Sequence, residues 1–495
     1  MKHTTTKYSN IIGLLLAVVP LVLLSAGCSK GFLDVAPQGK QPSDQFWQTQ
    51  DDATKAVNAI YANLRSWPNV AFATMAIESL GSDDAEKGST PGDATFMNTF
   101  DDYSATSTQG QIQDYWNGQY LNINYCNQVL DSVPQINMDA SLKSRYLAEA
   151  KFVRAYSYFR LVRAFGGVPL RLHLPAGATD YNLPRTSKDS VYDAIEKDLN
   201  DAAAVLPQSY PATDIGRATK GAALALHAKV AMYRKKWSDV LNYTNQVMGL
   251  GYSLFPNYEQ LFRIANENCS ESIFEVQATY LASNQDASNS QYSQIQGVKD
   301  VANVGWGFNA PTQSLVNEYE AGDPRKDATI LFAGETTPEG DVVPAPQNGA
   351  PTMYNQKSYV PFALAAATKS GSDQNFRVIR YAEVLLMNAE AANELNNPTQ
   401  ALASLEKVRA RARAGNNAIL PPVTTTDQAA LRNAIWHERR VELAMENDRF
   451  FDVIRQGRAA AVFGSKFIVG KNEVWPLPQN EIDLSAGVLT QNPGY

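Results

Sequence analysis

The chain of 495 residues is predicted to be mainly α-helical, with paired helices that form a scaffold, long loops that form a ligand-binding portion, and little β-structure. Three observations support this prediction. Apolar side chains recur every three or four residues along much of the chain, as in amphipathic helices. Two stretches of about 34 residues have the pattern of a helix pair with Ala at the positions of close approach, which is typical of tetratricopeptide (TPR)-like repeats. Long polar segments with scattered aromatic residues separate the helices.

The first 27 residues have the pattern of a lipoprotein signal peptide. A short positively charged head precedes an apolar run over residues 11–24, which is shorter than the roughly 20 residues of a permanent membrane helix. The stretch LSAGC then ends at Cys28 and resembles the lipobox of bacterial lipoproteins, in which the Cys carries the acyl chains. We therefore expect a lipid anchor at Cys28, a tether over residues 28–42 and one large domain over residues 43–495.

Composition excludes several classes of partner and site. The formal net charge is −7, and no dense run of Lys and Arg is present, so nucleic acid is not an expected partner. Besides Cys28, only Cys126 and Cys269 remain, far apart and without a CxxC pattern. A single disulfide is compatible with an exported protein, but two separately buried thiols are the favoured interpretation. So few cysteines exclude a metal–thiolate site. No cofactor is expected either.

The first predicted helices follow the tether. Asp51 and Asp52 are suited to cap the start of a helix and to interact with the positive end of its dipole. Residues 111–133 and 142–165 carry apolar side chains at helical spacing, so both are predicted to be core-facing helices. Two glycines at positions 166 and 167 are expected to end the second of them.

The two predicted helix pairs cover residues 217–251 and 376–415. The first is expected to divide near Lys236 to Ser238, with Ser238 as the N-cap. The second is expected to divide at Asn397, which caps a helix whose first residue is Pro398. Because such pairs cannot bury their apolar faces alone, they must stack on one another.

Residues 81–111, 281–311 and 332–376 are predicted to be long loops. Loops of more than about 15 residues are uncommon in compact domains unless they are functional or disordered. Interspersed aromatic residues argue against disorder here. A helical scaffold that carries long aromatic loops indicates a binding protein.

Several stretches, in order along the chain, resemble the SusD/RagB family of outer-membrane nutrient-binding lipoproteins. They are CSKGFLDVAPQG, EAKFVRAYSYFRLVRAFGGVPL, RYAEVLLMNAEA, HERRVELAMENDRFFDVIRQG and a tail with WPLP and QNPGY. The resemblance implies an α-domain of four TPR-like helix pairs that binds an oligosaccharide or similar nutrient at the exterior face of the outer membrane. It also implies a partner, a SusC-like TonB-dependent β-barrel transporter, on which the protein acts as a lid.

Candidate ligand residues are sought among loop aromatics, because sugars present flat C–H faces that pack on aromatic rings. The stretch VGWGFNAP contains Trp306 and Phe308, and its glycines allow the backbone to expose a ring. The alternative is that Trp306 plugs the scaffold beneath a loop. Ligand residues vary with the nutrient in the family, so none is transferred from the resemblance.

A second candidate segment follows a predicted helix near residue 80. It contains Asp83, Asp84, Phe96 and Tyr103, whose carboxylates and rings are suited to a sugar. The two Asp residues are also suited to bind calcium or to cap a turn. The tryptophans on strong helical periods and in the tail are instead expected to be structural: Trp116, Trp436 and Trp475.

No catalytic motif is complete in this sequence. His437 and Glu438 begin a zincin-like pattern, but Val441 stands where the second His is required. A glycosidase pair of carboxylates remains an open alternative that sequence alone does not test. The chain is therefore expected to be a binding protein and not an enzyme.

Three glutamates at four-residue spacing, Glu438, Glu442 and Glu446, share one helix face and would repel one another without compensation. A structural ion network is favoured over a metal site. The arginines expected to compensate these charges are Arg439, Arg449 and Arg455.

Two other functional classes stay open at this stage. The first is a periplasm-facing TPR-like scaffold lipoprotein of an outer-membrane assembly machine, and the second is a lipid-anchored hydrolase. A pure scaffold has no use for long aromatic loops, which favours the nutrient-binding lipoprotein.

Overall fold

The computed structural model describes residues 46–177, 180–283, 291–368 and 372–495. The predicted signal peptide, the lipidation site Cys28 and the tether lie outside these residues. None of the described helices is both long enough and apolar enough to cross a membrane.

The described chain is mostly helical. The α-helices are α1 Gln50–Leu64, α2 Trp67–Val70, α3 Phe72–Glu78, α4 Asn98–Asp101, α5 Gly110–Ser132, α6 Ala140–Phe165, α7 Lys188–Val205, α8 Lys220–Tyr233, α9 Trp237–Met248, α10 Tyr258–Leu261, α11 Tyr292–Gln296, α12 Gln313–Glu318, α13 Arg325–Thr329, α14 Phe362–Thr368, α15 Tyr381–Glu394, α16 Pro398–Arg413, α17 Gln428–Leu443, α18 Arg449–Arg455, α19 Ala459–Phe463 and α20 Gln479–Leu484. The strands are β1 Ala85–Gly88, β2 Ser272–Val276, β3 Phe308–Pro311, β4 Ile330–Phe332, β5 Met353–Asn355 and β6 Phe376–Arg380.

The scaffold is a stack of long helices in chain order. Helices α1, α5, α6, α7, α8 and α9 each pack on the next, and α9 then packs on α15, which packs on α16 and α17. The chain between α9 and α15 leaves this stack and contains short helices and most of the strands. The prediction of a mainly α-helical scaffold with a loop-rich portion and little β-structure is confirmed.

Local capping explains where several helices begin and end. Thr49, not Asp51, is the N-cap of α1, and it forms a capping box with Asp52 in the first turn. Asn397 caps α16 as predicted, with Pro398 at its first position. The prediction for Ser238 is wrong, because α9 already begins one residue earlier and its N-cap residue makes no side-chain hydrogen bond.

The strands form three two-stranded antiparallel sheets, β1 with β3, β2 with β6, and β4 with β5. Strand β6 occupies residues 376–380, so the second predicted helix pair begins only after them, with α15. The predicted loop 332–376 contains β5 and α14 in its described part. Each sheet therefore joins segments that are far apart in the sequence.

Helix α6 lies at the centre of the scaffold, and four of its charged residues are buried with its apolar ones: Glu149, Arg154, Arg160 and Arg163. Three of its arginines reach carboxylates on three other elements: Arg154 with Asp198, Arg160 with Glu78, and Arg163 with Asp448. Buried charges are costly unless they are paired and hydrogen-bonded, so these contacts specify how the helices dock.

The predicted ion network around the three glutamates exists, but with other partners than predicted. Its contacts are Glu438 with Arg325 and Arg409, Glu442 with Arg325, Arg380 and Arg411, and Glu446 with Lys357 and Arg380. The three arginines proposed from sequence pair elsewhere: Arg439 with Glu383 and Asp452, Arg449 with Asp83, and Arg455 with Glu390 and Asp452. Tertiary neighbours, and not helical neighbours, compensate the glutamates.

The structural tryptophans and the thiols follow the predictions with two exceptions. Trp116 and Trp475 are buried, and the Trp475 indole donates to the carbonyl of Ile77 at 3.0 Å. Trp436 is only half-buried, and its indole N–H donates to the buried Glu390 carboxylate at 2.9 Å. Both Cys126 and Cys269 are free thiols as predicted, but only Cys126 is buried, and Cys269 is half-buried.

Candidate functional site

Two of the predicted loop segments meet in the structure. Strand β1, near the start of the first segment, pairs with β3, at the end of the second. The Lys299 ammonium lies 2.7 Å from the Asp93 carboxylate and closes the same junction from its other side. The backbone pairing and this ion pair together place Trp306 beside the end of α1.

An aromatic cluster lies at this junction. Trp67 and Phe72 come from the short helices that follow α1, and Trp306 and Phe308 come from the second loop segment. Ring centroids are 6.1 Å apart for Trp67 and Trp306, 5.9 Å for Phe72 and Trp306, 5.5 Å for Trp67 and Phe72, and 4.8 Å for Phe72 and Phe308. We call Trp67, Phe72 and Trp306 the aromatic cluster.

Backbone contacts hold Trp306 in this position. The Trp306 N–H donates to the carbonyl of Gln294 at 2.9 Å. A Cβ on Gly305 would lie 2.1 Å from the carbonyl carbon of Gly297, so only glycine permits this approach. Gly307 has a φ of +72°, which L-residues with side chains rarely adopt. The two glycines that flank Trp306 therefore do more than expose its ring, because the backbone conformation of the loop requires them.

The three cluster residues are half-buried: they pack against the hydrophobic core and keep part of their surface exposed. Phe308 is only 6% exposed and supports the cluster from beneath, with the Lys87 ammonium 5.8 Å from its ring centroid. A partly exposed patch of rings on a rigid backbone can pack on the C–H face of a sugar without a large ordering cost.

Sequence reasoning identified Trp306 but missed Trp67 and Phe72. The available signal was the pair Trp67–Pro68 directly after α1. Pro is suited to the first turn of a helix, and here it lies in the first turn of α2. A tryptophan at such a boundary is not held on the core-facing stripe of a long helix.

The other predicted ligand residues have partners within the protein. Asp83 receives two hydrogen bonds from Arg449, at 2.8 and 2.9 Å, and Arg440 binds Asp84 at 2.8 Å. Burial raises the pKa of Asp84, and the two arginines act in the opposite direction. These carboxylates tie the loop to α17 and α18, so we revise the prediction that they face a ligand.

Tyr103 and Phe96 are not brought to the cluster. Tyr103 is buried, its hydroxyl donates to the carbonyl of Gly81 at 2.6 Å, and its ring stacks on Trp475 at 6.5 Å. Phe96 is 38% exposed, and no ring contact joins it to the cluster within the described chain. Tyr103 is therefore a core residue, while Phe96 stays a candidate for ligand contact at the rim of the loop.

A cleft of about 300 Å³ lies beside the end of α1, two residues before Trp67. Its lining includes Asn58, Tyr61, Arg65 and Gln277, but none of the three cluster rings lines it.

Similarity to known proteins covers nearly the whole chain. Residues 31–232 match the family model described as "Starch-binding associating with outer membrane", and residues 270–495 match the model of the SusD family. SusD-like protein P2 of Formosa agariphila is 28% identical over 509 residues, which cover 96% of this chain and 98% of that protein.

Solved structures agree with these matches. A laminarin binding SusD-like protein has a TM-score of 0.78 and 30% identity and covers 90% of this chain and 100% of its own. Surface glycan-binding protein A from Bacteroides fluxus has a TM-score of 0.75 and 25% identity with the same coverage. The helical stack, the two family models and these relatives lead to one conclusion: this chain belongs to the SusD family.

Proposed function

We propose that this protein is a surface-exposed outer-membrane lipoprotein that binds an oligosaccharide on the aromatic cluster and delivers it, as a lid, to a SusC-like TonB-dependent β-barrel transporter. The observation that carries the binding proposal is the cluster of Trp67, Phe72 and Trp306, half-exposed on a backbone held by close glycine contacts. The names of the relatives, which include laminarin binding and surface glycan binding, support carbohydrate as the ligand class.

Alanine substitutions of the cluster test the binding proposal. Stacking on an aromatic ring contributes about 0.5–1.5 kcal/mol beyond the area that it buries. We expect Trp306→Ala and Trp67→Ala each to weaken binding of laminarihexaose or maltohexaose by at least about 5-fold in calorimetric titrations.

The matched control is Trp237→Ala, because Trp237 is also half-buried but lies at the start of α9 in the scaffold. It should leave the affinity unchanged. Unaltered affinity in both cluster variants, with a folded protein by thermal melting, would refute the site. The alternative in which Trp306 only plugs the scaffold predicts that result.

The lid proposal concerns the partner and the anchor. A sugar held between lid and barrel contacts both proteins, so it favours the closed state only by its differential affinity for that state. We expect the complex to bind the sugar more tightly than the isolated lid. Co-purification of the lipidated protein with a β-barrel from solubilised outer membrane, followed by titration of complex and lid, tests this. Equal affinities in both forms contradict a shared site.

The anchor proposal rests on Cys28. Cys28→Ala should release the protein from the membrane fraction of cells that lack the barrel. Protease added to intact cells should digest the wild-type protein if it faces the exterior. Protection from protease instead favours the periplasm-facing scaffold protein, which has no use for the aromatic cluster.

We also propose that the protein binds its sugar without cleaving it. Two of the similar solved structures carry names of binding proteins, and no complete catalytic motif is present in the sequence. Incubation of the protein with a bound hexaose, followed by chromatography for shorter products, tests this. Release of shorter sugars at catalytic turnover would favour the hydrolase alternative.

A further inference from the structure

A groove of about 510 Å³ lies along α5, away from the aromatic cluster. Residues 169–175 and 181–183 contribute one wall, and α20 with the residues after it forms another. The groove is not part of the site described above. We call it the α5 groove.

The α5 groove and the aromatic cluster lie on opposite faces of one helix. Gly118 faces α2, where a Cβ would lie 2.8 Å from the Cβ of Pro68, and Gln119 donates to the Asn69 side chain at 2.7 Å. The residues of α5 that line the groove lie on the other face and include four that are spaced three and four apart: Asn117, Tyr120, Leu121 and Asn124. The diameter of a helix, about 10 Å, therefore separates the groove from α2 and Trp67.

Aromatic rings form the floor and the rim of this groove. Trp116 and Tyr120 lie on the floor with ring centroids 4.8 Å apart, and the Tyr120 hydroxyl donates to the carbonyl of Pro169 at 2.7 Å. Tyr181 lies on the rim with 64% of its surface exposed. The ring of Tyr181 is thus exposed at the rim, whereas the rings of Trp116 and Tyr120 are held by contacts within the protein.

The groove is lined by four Asn amides and by three groups that can carry a charge, Arg171, His173 and Glu481. His173 pairs with Asp131, and Glu481 accepts a hydrogen bond from Gln113. Asn117, Asn124 and Asn182 are exposed along the groove, and their side chains can both donate and accept. The Arg171 guanidinium is engaged within the protein, because it donates to the carbonyls of Asp180 and Tyr181. These hydrogen bonds hold the backbone that carries the Tyr181 ring. Rings with neutral amides match a polyhydroxylated, uncharged ligand better than an anion or a lipid.

We propose that the α5 groove is a second binding site for a neutral oligosaccharide, independent of the aromatic cluster. That the ligand is an oligosaccharide rests on the proposed function, whereas the location of the second site rests on the geometry of the α5 groove. A second site on the far side of α5 would hold a distant part of a long glycan chain or a second chain. Two weak sites on one ligand raise its overall affinity through effective concentration, without any new contact.

The test uses the full mature chain and a hexaose that the wild type binds, laminarihexaose or maltohexaose. Trp306→Ala is titrated alone and together with Tyr181→Ala and Asn124→Ala. We expect residual binding in Trp306→Ala, which the two groove substitutions weaken by at least 5-fold. In the wild-type background, the same groove substitutions should leave the cluster affinity unchanged. Tyr181 and Asn124 are both exposed, so the folded state should persist, as thermal melting will check.

Two outcomes overturn the inference while the proposed function stands. One is a residual affinity in Trp306→Ala that the groove substitutions do not change. The other is that the groove substitutions leave hexaose binding unchanged but reduce the amount of β-barrel that co-purifies. Leu121 and Leu484 are exposed on the rim and are also suited to a protein contact. If neither hexaose binds the wild type, the proposed function fails and the inference fails with it.

Discussion

Replacing Glu442 with Gln should destabilise this protein more than almost any other single charge removal. The Glu442 carboxylate is fully buried among three guanidinium groups, those of Arg325, Arg380 and Arg411. These arginines overcome the cost of burial and lower the pKa of Glu442 from 4.5 to about 2. Glutamine keeps the shape of the side chain but leaves the three positive charges without their shared counter-charge.

The magnitude follows from this pKa. One pKa unit corresponds to about 1.4 kcal/mol, so a pKa lowered from 4.5 to about 2 contributes on the order of 3 kcal/mol at neutral pH. Removal of one partner from a buried ion pair typically costs about 3–5 kcal/mol, which agrees. We expect Glu442→Gln to lower the free energy of unfolding by about 3 kcal/mol at pH 7.

The pH dependence gives a sharper check. Because the folded-state pKa of Glu442 is depressed, its contribution is fully present above pH 4.5 and is lost as the pH falls towards 2. The difference between wild type and Glu442→Gln should therefore shrink from about 3 kcal/mol at pH 7 to about 1 kcal/mol at pH 3. Urea unfolding followed by circular dichroism at several pH values measures it.

The control is Glu406→Gln, the same substitution at a partly exposed carboxylate. Glu406 pairs with Arg413, but the Glu406 side chain is 37% exposed, so solvent screens this pair. We expect this variant to lose less than about 1 kcal/mol. A loss below 1 kcal/mol in Glu442→Gln, or a difference that stays constant down to pH 3, would refute the reasoning.

Two further predictions concern the core and the site. Trp475→Ala removes a buried ring whose indole donates to Ile77, so it should cost about 3–5 kcal/mol in thermal or urea unfolding; a smaller loss would mean that the tail is not part of the core. Gly305→Ala places a Cβ against the backbone of Gly297 and should displace Trp306, which weakens sugar binding at least 5-fold in titrations, whereas Gly92→Ala, which has open space around its Cα, should bind as the wild type does. Normal binding by Gly305→Ala would show that the loop adjusts without moving the ring.

Aromatic residues have two different roles in this protein. Trp475 and Tyr103 stack in the core between the tail and the first loop segment. Trp67 and Trp306 contact each other at a tilt of 53°, at a junction where both are partly exposed. The same residue type thus serves stability in one place and offers a binding surface in the other, and only the neighbours in space distinguish the two.

The sequence by itself determined the class of fold and most helix positions. Helical periodicity, the cap at Asn397 and the glycines after α6 are local signals, and they act over a few residues whatever the rest of the chain does. The lipobox at Cys28 and the succession of family-like stretches are equally local. They predicted the helical scaffold correctly, and they are the basis of the proposed anchor.

Only the tertiary structure decided which side chains meet. Trp67 and Trp306 are separated by most of the first half of the chain, and pairing of β1 with β3 brings them together. In the same way, Arg380 and Arg411 reach Glu442 from other elements, whereas the arginines nearest in sequence pair elsewhere. The physical reason is that ring stacking and ion pairing depend on distances of a few ångströms in space, and spacing along the chain encodes such distances only within a helix or a turn.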